Sequence, residues 1–291
     1  MEKWGRLITA MVTPFDSELN IDYNMAVSLA RRLVREGSTA LVISGTTGEA
    51  PTLKRDEKLK LYEVIKENID VPIIAGVGTN STRDTIINAQ EAIKSGVDGL
   101  LIVTPYYNKP DQNSLYSHFS EVAKSVDSPI MLYNVPGRTG CNMLPKTVER
   151  LSKIDNIVAV KEASGNIVQL SEIVKIKPDD FTVYTGDDVL TLPSMSVGAY
   201  GVVSVSSHIV GKEMKEMIDA FVDNDTFKAM ELHLKLLNIF QKLFIVANPI
   251  PVKAALNIIG DNVGKVRLPL TDANHDVLEI IKRELEILEI I

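Results

Sequence analysis

The chain has 291 residues, 45% of them hydrophobic and 24% charged, the composition of an ordinary globular protein. A formal net charge of −7, without any basic run interleaved with aromatics, argues against a nucleic-acid surface. A single cysteine, Cys141, excludes an intrachain disulfide framework; no apolar run approaches the ~18–20 residues of a membrane span, and "MEKWGRLITAMVTPFD" has no cleavage pattern, so the expected location is the cytoplasm.

In chain order, short apolar runs alternate with amphipathic stretches. "LITAMVT" from Leu7 reads as a first strand. Asp22 can cap a helix whose Met25, Leu29 and Leu33 share a face, and Gly37 can end it in a left-handed turn. Strands "ALVISG" from Ala40 and "PIIAGVG" from Pro72 come next. Ser81 and Asp84 then form a capping-box-like start, Ile86, Ala89 and Ile93 give the buried face, and Gly96 closes the helix. Five more strands follow: "GLLIVTP" from Gly99, "PIMLYNV" from Pro129, "IVAVK" from Ile157, "FTVYTG" from Phe181 and "GVVSVS" from Gly201.

Eight strands alternating with helices over roughly 220 residues predict a (β/α)8 TIM barrel. An open doubly wound sheet would need a glycine-rich first turn. "GVGTN" at 76–80 lacks the third glycine and follows the third strand, so no dinucleotide site is expected. After Asn224 the strand signal ends. Phe227, Met230, Leu234, Leu237 and Phe244 fall at helical spacing and predict a helical face buried within the chain or against a neighbouring subunit. "NPIPVKAALNIIG" offers prolines at a helix start and a glycine at its end, and Val277, Ile280, Ile281, Leu285 and Leu288 stripe a last helix. The expected division is a barrel over 1–224 and a small helical domain over 225–291.

In such a barrel, chemistry belongs at the C-terminal strand ends. Those positions hold Thr9 and Thr13, "SGTTGE" at 44–49, "TPYYN" at 104–108, "YNVPGRTG" at 133–140, Lys161, "TGDD" at 185–188 and "VVSVSS" at 202–207. Lys161 ends a strand that is otherwise apolar. Such a lysine can snorkel to water. Burial, however, disfavours the ammonium form of an amine, and a neutral lysine attacks carbonyls to give a Schiff base. The protonated imine is an electron sink, so carbanion chemistry at the neighbouring carbon needs neither metal nor cofactor, and none is expected.

Tyrosine and threonine hydroxyls can then pass protons. Tyr133 ends the preceding strand and can reach the same mouth, or serve as a rim tyrosine. Thr46 and Thr47, in a glycine-flanked turn, can offer hydroxyls and N–H groups to a carboxylate, or simply cap the turn. The Arg138 guanidinium suits a carboxylate, or a surface ion pair. Tyr106 and Tyr107 are equally compatible with packing. Asp187 and Asp188 read as a helix cap and dipole partner rather than metal ligands. His118, His208, His233 and His275 are scattered, without metal-ligand spacing.

"GTTGE" at 45–49, "TPYYNKP" at 104–110, "YNVPGRTG" at 133–140, "KEASGN" at 161–166, "GDD" at 186–188 and "NPIPVK" at 248–253 together resemble the dihydrodipicolinate synthase family. The resemblance runs from the first strand to the final helices. It implies a (β/α)8 barrel with a C-terminal helical domain, a homotetramer of two tight dimers, and condensation of pyruvate with aspartate 4-semialdehyde on the route to diaminopimelate and lysine. By the same resemblance Lys161 forms the imine, Tyr133 moves protons, and Thr46 and Tyr107 complete a hydroxyl relay, with Tyr107 coming from the adjacent subunit. Thr47 holds the pyruvate carboxylate, the Val203 main chain and Gly186 line the pocket, and Arg138 receives the semialdehyde carboxylate. A regulatory, interface site would involve Tyr106, Asn80, Asp84, Ala50, Arg55 and Lys58. Ala50, Arg55 and Lys58 stand where lysine-sensitive members have a serine and two histidines, and Asp84 replaces a longer Glu. The added cations predict weak or absent inhibition by lysine. N-acetylneuraminate lyase and 2-keto-3-deoxy-sugar-acid aldolases share the lysine, the tyrosine and the turn; Arg138 favours the carboxylate-bearing acceptor.

Overall fold

The structure, a computed structural model, describes residues 4–291. Eight parallel strands close into a barrel in sequence order: β1 Leu7–Ala10, β2 Ala40–Ile43, β3 Ile73–Gly76, β4 Gly99–Val103, β5 Ile130–Asn134, β6 Ile157–Glu162, β7 Thr182–Thr185 and β8 Gly201–Ser204. Around it lie α1 Tyr23–Arg35, α2 Arg55–Asn68, α3 Thr82–Lys94, α4 Gln112–Lys124, the short α5 Pro136–Thr139 and α6 Pro145–Leu151, α7 Ile167–Ile176, α8 Thr191–Ser196 and α9 Ser207–Val222. The expected barrel is present, with one difference: two short helices, not one, fill the β5–β6 connection.

Alternation along the strands builds two separate layers. Ile8, Val42, Ile74, Leu101, Met131, Tyr133, Ala159, Tyr184 and Val203 point inward and fill the barrel. Leu41, Ile73, Leu100, Leu132, Val160 and Val183 point outward and pack under the helices. Trp4 closes the floor, where a side chain on Gly99 would meet its ring at 2.5 Å. The Tyr184 hydroxyl donates to the Gly5 carbonyl at 3.0 Å in the same region. The floor is thus packed and leaves only the opposite end open to ligands.

The helix ends follow the local chemistry. Asp22 accepts from the Met25 N–H at 2.9 Å and Ser81 from the Asp84 N–H at 3.3 Å, as N-caps do. Gly37 and Gly96 follow their helices in the left-handed region.

Beyond Asn224 the chain forms α10 Thr226–Lys242, α11 Ile250–Ile258 and α12 His275–Ile287. Within the protomer, the packed arc of α10 is a second apolar arc beside the expected one. Phe227, Met230, Leu234 and Phe244 are exposed, Leu234 by 59%, whereas Ala229, Leu236, Ile239 and Phe240 are buried. Both sets have helical spacing, and the neighbouring α9 and α12 decide which arc is covered. Ile280 of α12 is likewise exposed, while Val277, Ile281 and Leu285 are buried. Among the described residues no helix is long and apolar enough to cross a membrane.

Candidate active site

Strands β5 and β6 form one half of the mouth. Tyr133 and Lys161 are directly opposite each other in the β5–β6 ladder, and Lys161 faces Tyr184 of β7 on its other side. Two-residue alternation carries inward Ala159 to inward Lys161, and Met131 to Tyr133. Both side chains are 6% exposed, and the Lys161 Nζ lies 4.4 Å from the centre of the Tyr133 ring. Gly186 makes room for the amine: a Cβ there would meet Lys161 Cε at 2.6 Å and the Ala163 methyl at 2.7 Å.

Glu162, the next residue, points the opposite way into a buried polar network. It accepts from the Ser164 N–H at 2.9 Å, from Asn134 Nδ2 at 2.9 Å and from Gln169 Nε2 at 3.3 Å. Burial raises its carboxyl above the ordinary value against these hydrogen bonds. Asn134 also donates to Asn142 at 2.8 Å and accepts from the Met143 N–H at 2.9 Å. The loop carrying Arg138 is therefore fastened at both ends, since a buried polar network costs least when its members are satisfied.

The second half of the mouth is the turn after β2. Thr46 is half-buried and Thr47 buried. Ser44 and Glu49, at the two ends of the turn, both have φ of 57°. Thr13 donates to the Gly48 carbonyl at 2.7 Å. Asn248, in the segment before α11, donates through Nδ2 to Thr47 Oγ1 at 2.8 Å, which leaves the threonine's own hydrogen available to an incoming acceptor. Glu49 is 2% exposed, and its carboxylate lies 2.7 Å from Lys253 Nζ.

Between the two halves opens a cavity of about 260 Å³. Its lining includes Thr46, Tyr133 and Arg138, together with Ala50, Lys58 and Tyr106 from the expected regulatory set. Lys58 is half-buried, and burial lowers its ammonium below the ordinary lysine value. Arg138 Nη2 reaches the Asn248 carbonyl at 3.5 Å. Val203 is fully buried in the barrel interior. Tyr107 is 87% exposed with φ of 74° and turns away from its own cavity. Arg55 pairs with Glu91 of α3, exposed Asp84 lies beside Arg83, and the Asn80 carbonyl accepts from Asn108.

One expected role is overturned. Asp188 caps no helix: α8 starts at Thr191 behind Leu190, and Asp188 Oδ2 instead accepts from the Val205 N–H, the Ser206 N–H and the Ser206 hydroxyl at 2.8–3.1 Å. It braces the end of β8 because the chain continues as an irregular turn before the helix begins. Asp187 bonds the Val189 N–H, and burial followed by the Asp188 charge raises its carboxyl. Among the described residues no group of three or more His, Cys, Asp or Glu side chains could hold a metal ion. Glu49, Glu162, Asn248 and Lys253 had no expected role. All four lie inside motifs that were recognised, GTTGE, KEASGN and NPIPVK, the one signal that could have singled them out.

The family that its sequence matches, and relatives 51–52% identical to it, place the chain among the aldolase-type lyases. It belongs to the dihydrodipicolinate synthetase family, whose model matches residues 3–288. The 4-hydroxy-tetrahydrodipicolinate synthase of Desulforamulus reducens is 52% identical over 282 residues, covering 96% of this chain and 95% of that one. A crystal structure of dihydrodipicolinate synthase from Bacillus anthracis superposes with a TM-score of 0.97 at 46% identity, over 98% of this chain and 99% of that one. The lysine-bound enzyme of Cyanidioschyzon merolae gives 0.97 at 44% identity, over 99% of each chain.

Proposed function

We propose that the chain condenses pyruvate with L-aspartate 4-semialdehyde to 4-hydroxy-tetrahydrodipicolinate, with Lys161 as the covalent catalyst. The observation that carries this reading is the buried Lys161 amine 4.4 Å from the Tyr133 ring, with its side chain passing where a Cβ on Gly186 would stand. The amine attacks the pyruvate carbonyl and water leaves, giving the protonated imine. Loss of a methyl proton yields an enamine, whose carbon attacks the aldehyde while its oxygen takes up a proton. The acceptor's amino group then attacks the imine carbon, closes the ring and releases Lys161. The imine itself supplies the electron sink, so the scheme draws on no metal or cofactor.

Tyr133 moves the protons, in relay with Thr46 and with Tyr107 of an adjacent subunit; the exposure of Tyr107 in its own protomer supports that last assignment. Thr47 receives the pyruvate carboxylate beside the Val203 main chain and Gly186, and Arg138 the semialdehyde carboxylate. The assembly that supplies Tyr107 is a homotetramer of two tight dimers, working in the cytoplasm. Each protomer divides into a barrel over 1–224 and a helical domain over 225–291. Initial rates with pyruvate plus aspartate semialdehyde, set against cleavage of N-acetylneuraminate, test the assignment. Turnover of the first pair alone is expected; comparable rates on both would overturn it.

A further inference from the structure

The turn that carries Thr46 and Thr47 cannot hold its own shape cheaply. Ser44 and Glu49 both sit in the left-handed region, which disfavours residues with a Cβ. Two bonds within the turn, Glu49 N–H to the Thr46 carbonyl at 3.0 Å and Ala50 N–H to the Gly45 carbonyl at 3.2 Å, close it locally. Thr13 ties the Gly48 carbonyl, and the ties to Thr47 and to the Glu49 side chain arrive from the far end of the chain. Lys253 Nζ lies 2.7 Å from Glu49 Oε1, with 2% and 1% of the two side chains exposed. The Arg267 N–H donates to Glu49 Oε2 at 2.8 Å, and its guanidinium donates to the Thr52 carbonyl at 3.0 Å.

We infer that Lys253 is a positioning residue of the catalytic mouth: its buried ion pair with Glu49 fixes the Thr46–Thr47 turn in the geometry that receives the keto-acid carboxylate. The inference rests on the proposed role of Thr47. A pair that only stabilised the fold could be replaced by apolar side chains at little cost, because burying two charges offsets most of their attraction. Here the carboxylate belongs to the residue that ends the substrate turn, only two positions after Thr47. A displacement of Glu49 is thereby transmitted to the carboxylate-binding hydroxyl, and small misplacements at such a hydroxyl are costly.

The surroundings of Lys253 make the pair sensitive to alkali. Glu49 faces it from the turn, Arg267 and Asp272 from the segment between α11 and α12, the Lys265 carbonyl accepts from Nζ at 2.8 Å, and the Phe15 ring lies 4.1 Å away. Burial dominates these influences and pushes the amine down to about 8; Arg267 acts in the same direction, while Glu49 and Asp272 oppose it. The cation is therefore present at neutral pH and lost above about pH 8.

The test compares the wild type with Lys253→Met and with Glu49→Gln/Lys253→Met. The single variant leaves a buried carboxylate unpaired and can fail to fold; the double variant removes both charges at nearly constant shape. The expected result for the folded double variant is a pyruvate KM raised about tenfold, with kcat within about threefold of wild type and the same KM from pH 7 to about 9.5. In the wild type, pyruvate KM should rise at least about threefold over that interval. A folded double variant with wild-type KM, or a wild-type KM flat to alkaline pH, overturns the inference. The wild-type profile decides it even where neither variant folds. Borohydride trapping of pyruvate on the wild type separates the two levels: no adduct refutes the imine mechanism, whereas an adduct with an indifferent KM refutes only the positioning role.

Discussion

The two halves of the mouth are built by different means. Lys161, Tyr133 and Gly186 sit at the ends of neighbouring strands, where the ladder register alone brings amine and phenol together. Thr46 and Thr47 sit on a turn with two left-handed non-glycine residues, held by groups about 200 positions away in sequence. The first half inherits its precision from the barrel. The second borrows it from the C-terminal segment, through Asn248, Lys253 and Arg267. A barrel therefore suffices to place the amine proposed as nucleophile, whereas the turn proposed to receive its substrate requires the rest of the chain.

The sharpest way to break this contrast is at the strand half. Lys161→Arg keeps a long basic side chain and removes the amine proposed to form the imine, so kcat should fall by about 10³-fold or more with the fold intact. Steady-state rates beside a thermal melt check it, and retained turnover would mean that the strand half is not the reacting half. Gly186→Ala is next. Its Cβ would come within 2.6 Å of Lys161 Cε, and turning the amine aside should cost about 100-fold in kcat with a smaller change in pyruvate KM.

Stability separates the two arcs of α10, the helix that anchors the C-terminal segment. Leu236→Ala removes a buried side chain and should cost about 2–5 kcal/mol by denaturant titration. Leu234→Ala, two residues away on the exposed arc, should stay within about 0.5 kcal/mol. If the C-terminal segment holds the turn, Leu236→Ala should also raise pyruvate KM more than it lowers kcat. The smallest expected effect is the response to free lysine. Lys58 lines the cavity, with Ala50 beside it, and a cationic ligand meets a cation there. Millimolar lysine should leave the initial rate within about 10% of the control; strong inhibition would contradict the electrostatic reading.

The same contrast explains what the sequence disclosed. A lysine closing an apolar strand is conspicuous, because period-two alternation tells which residues face inward once a barrel is assumed. Lys161, Tyr133 and the eight strands were legible for that reason, and so was the hydroxyl-bearing turn. The ties that hold the turn were not. Lys253 reads as one polar residue near a helix start and Glu49 as one acid after a turn, and a lone charge is solvated by default. Only folding shows that the two are buried against each other. Asp188 was misread for a related reason: a carboxylate ahead of a helix usually caps it, but here the N–H groups of the next strand end are nearer partners. On α10 apolar residues occupy two adjacent arcs, and the positions of α9 and α12 choose which of them is covered within the protomer, a choice the spacing alone does not make.

The most direct measurement is to mix the enzyme with pyruvate, quench with borohydride, digest and locate the reduced adduct by mass spectrometry. The account predicts a single modified residue, Lys161, in nearly every chain, and none when pyruvate is omitted. An adduct on another lysine, or no adduct while the enzyme turns over, would contradict it.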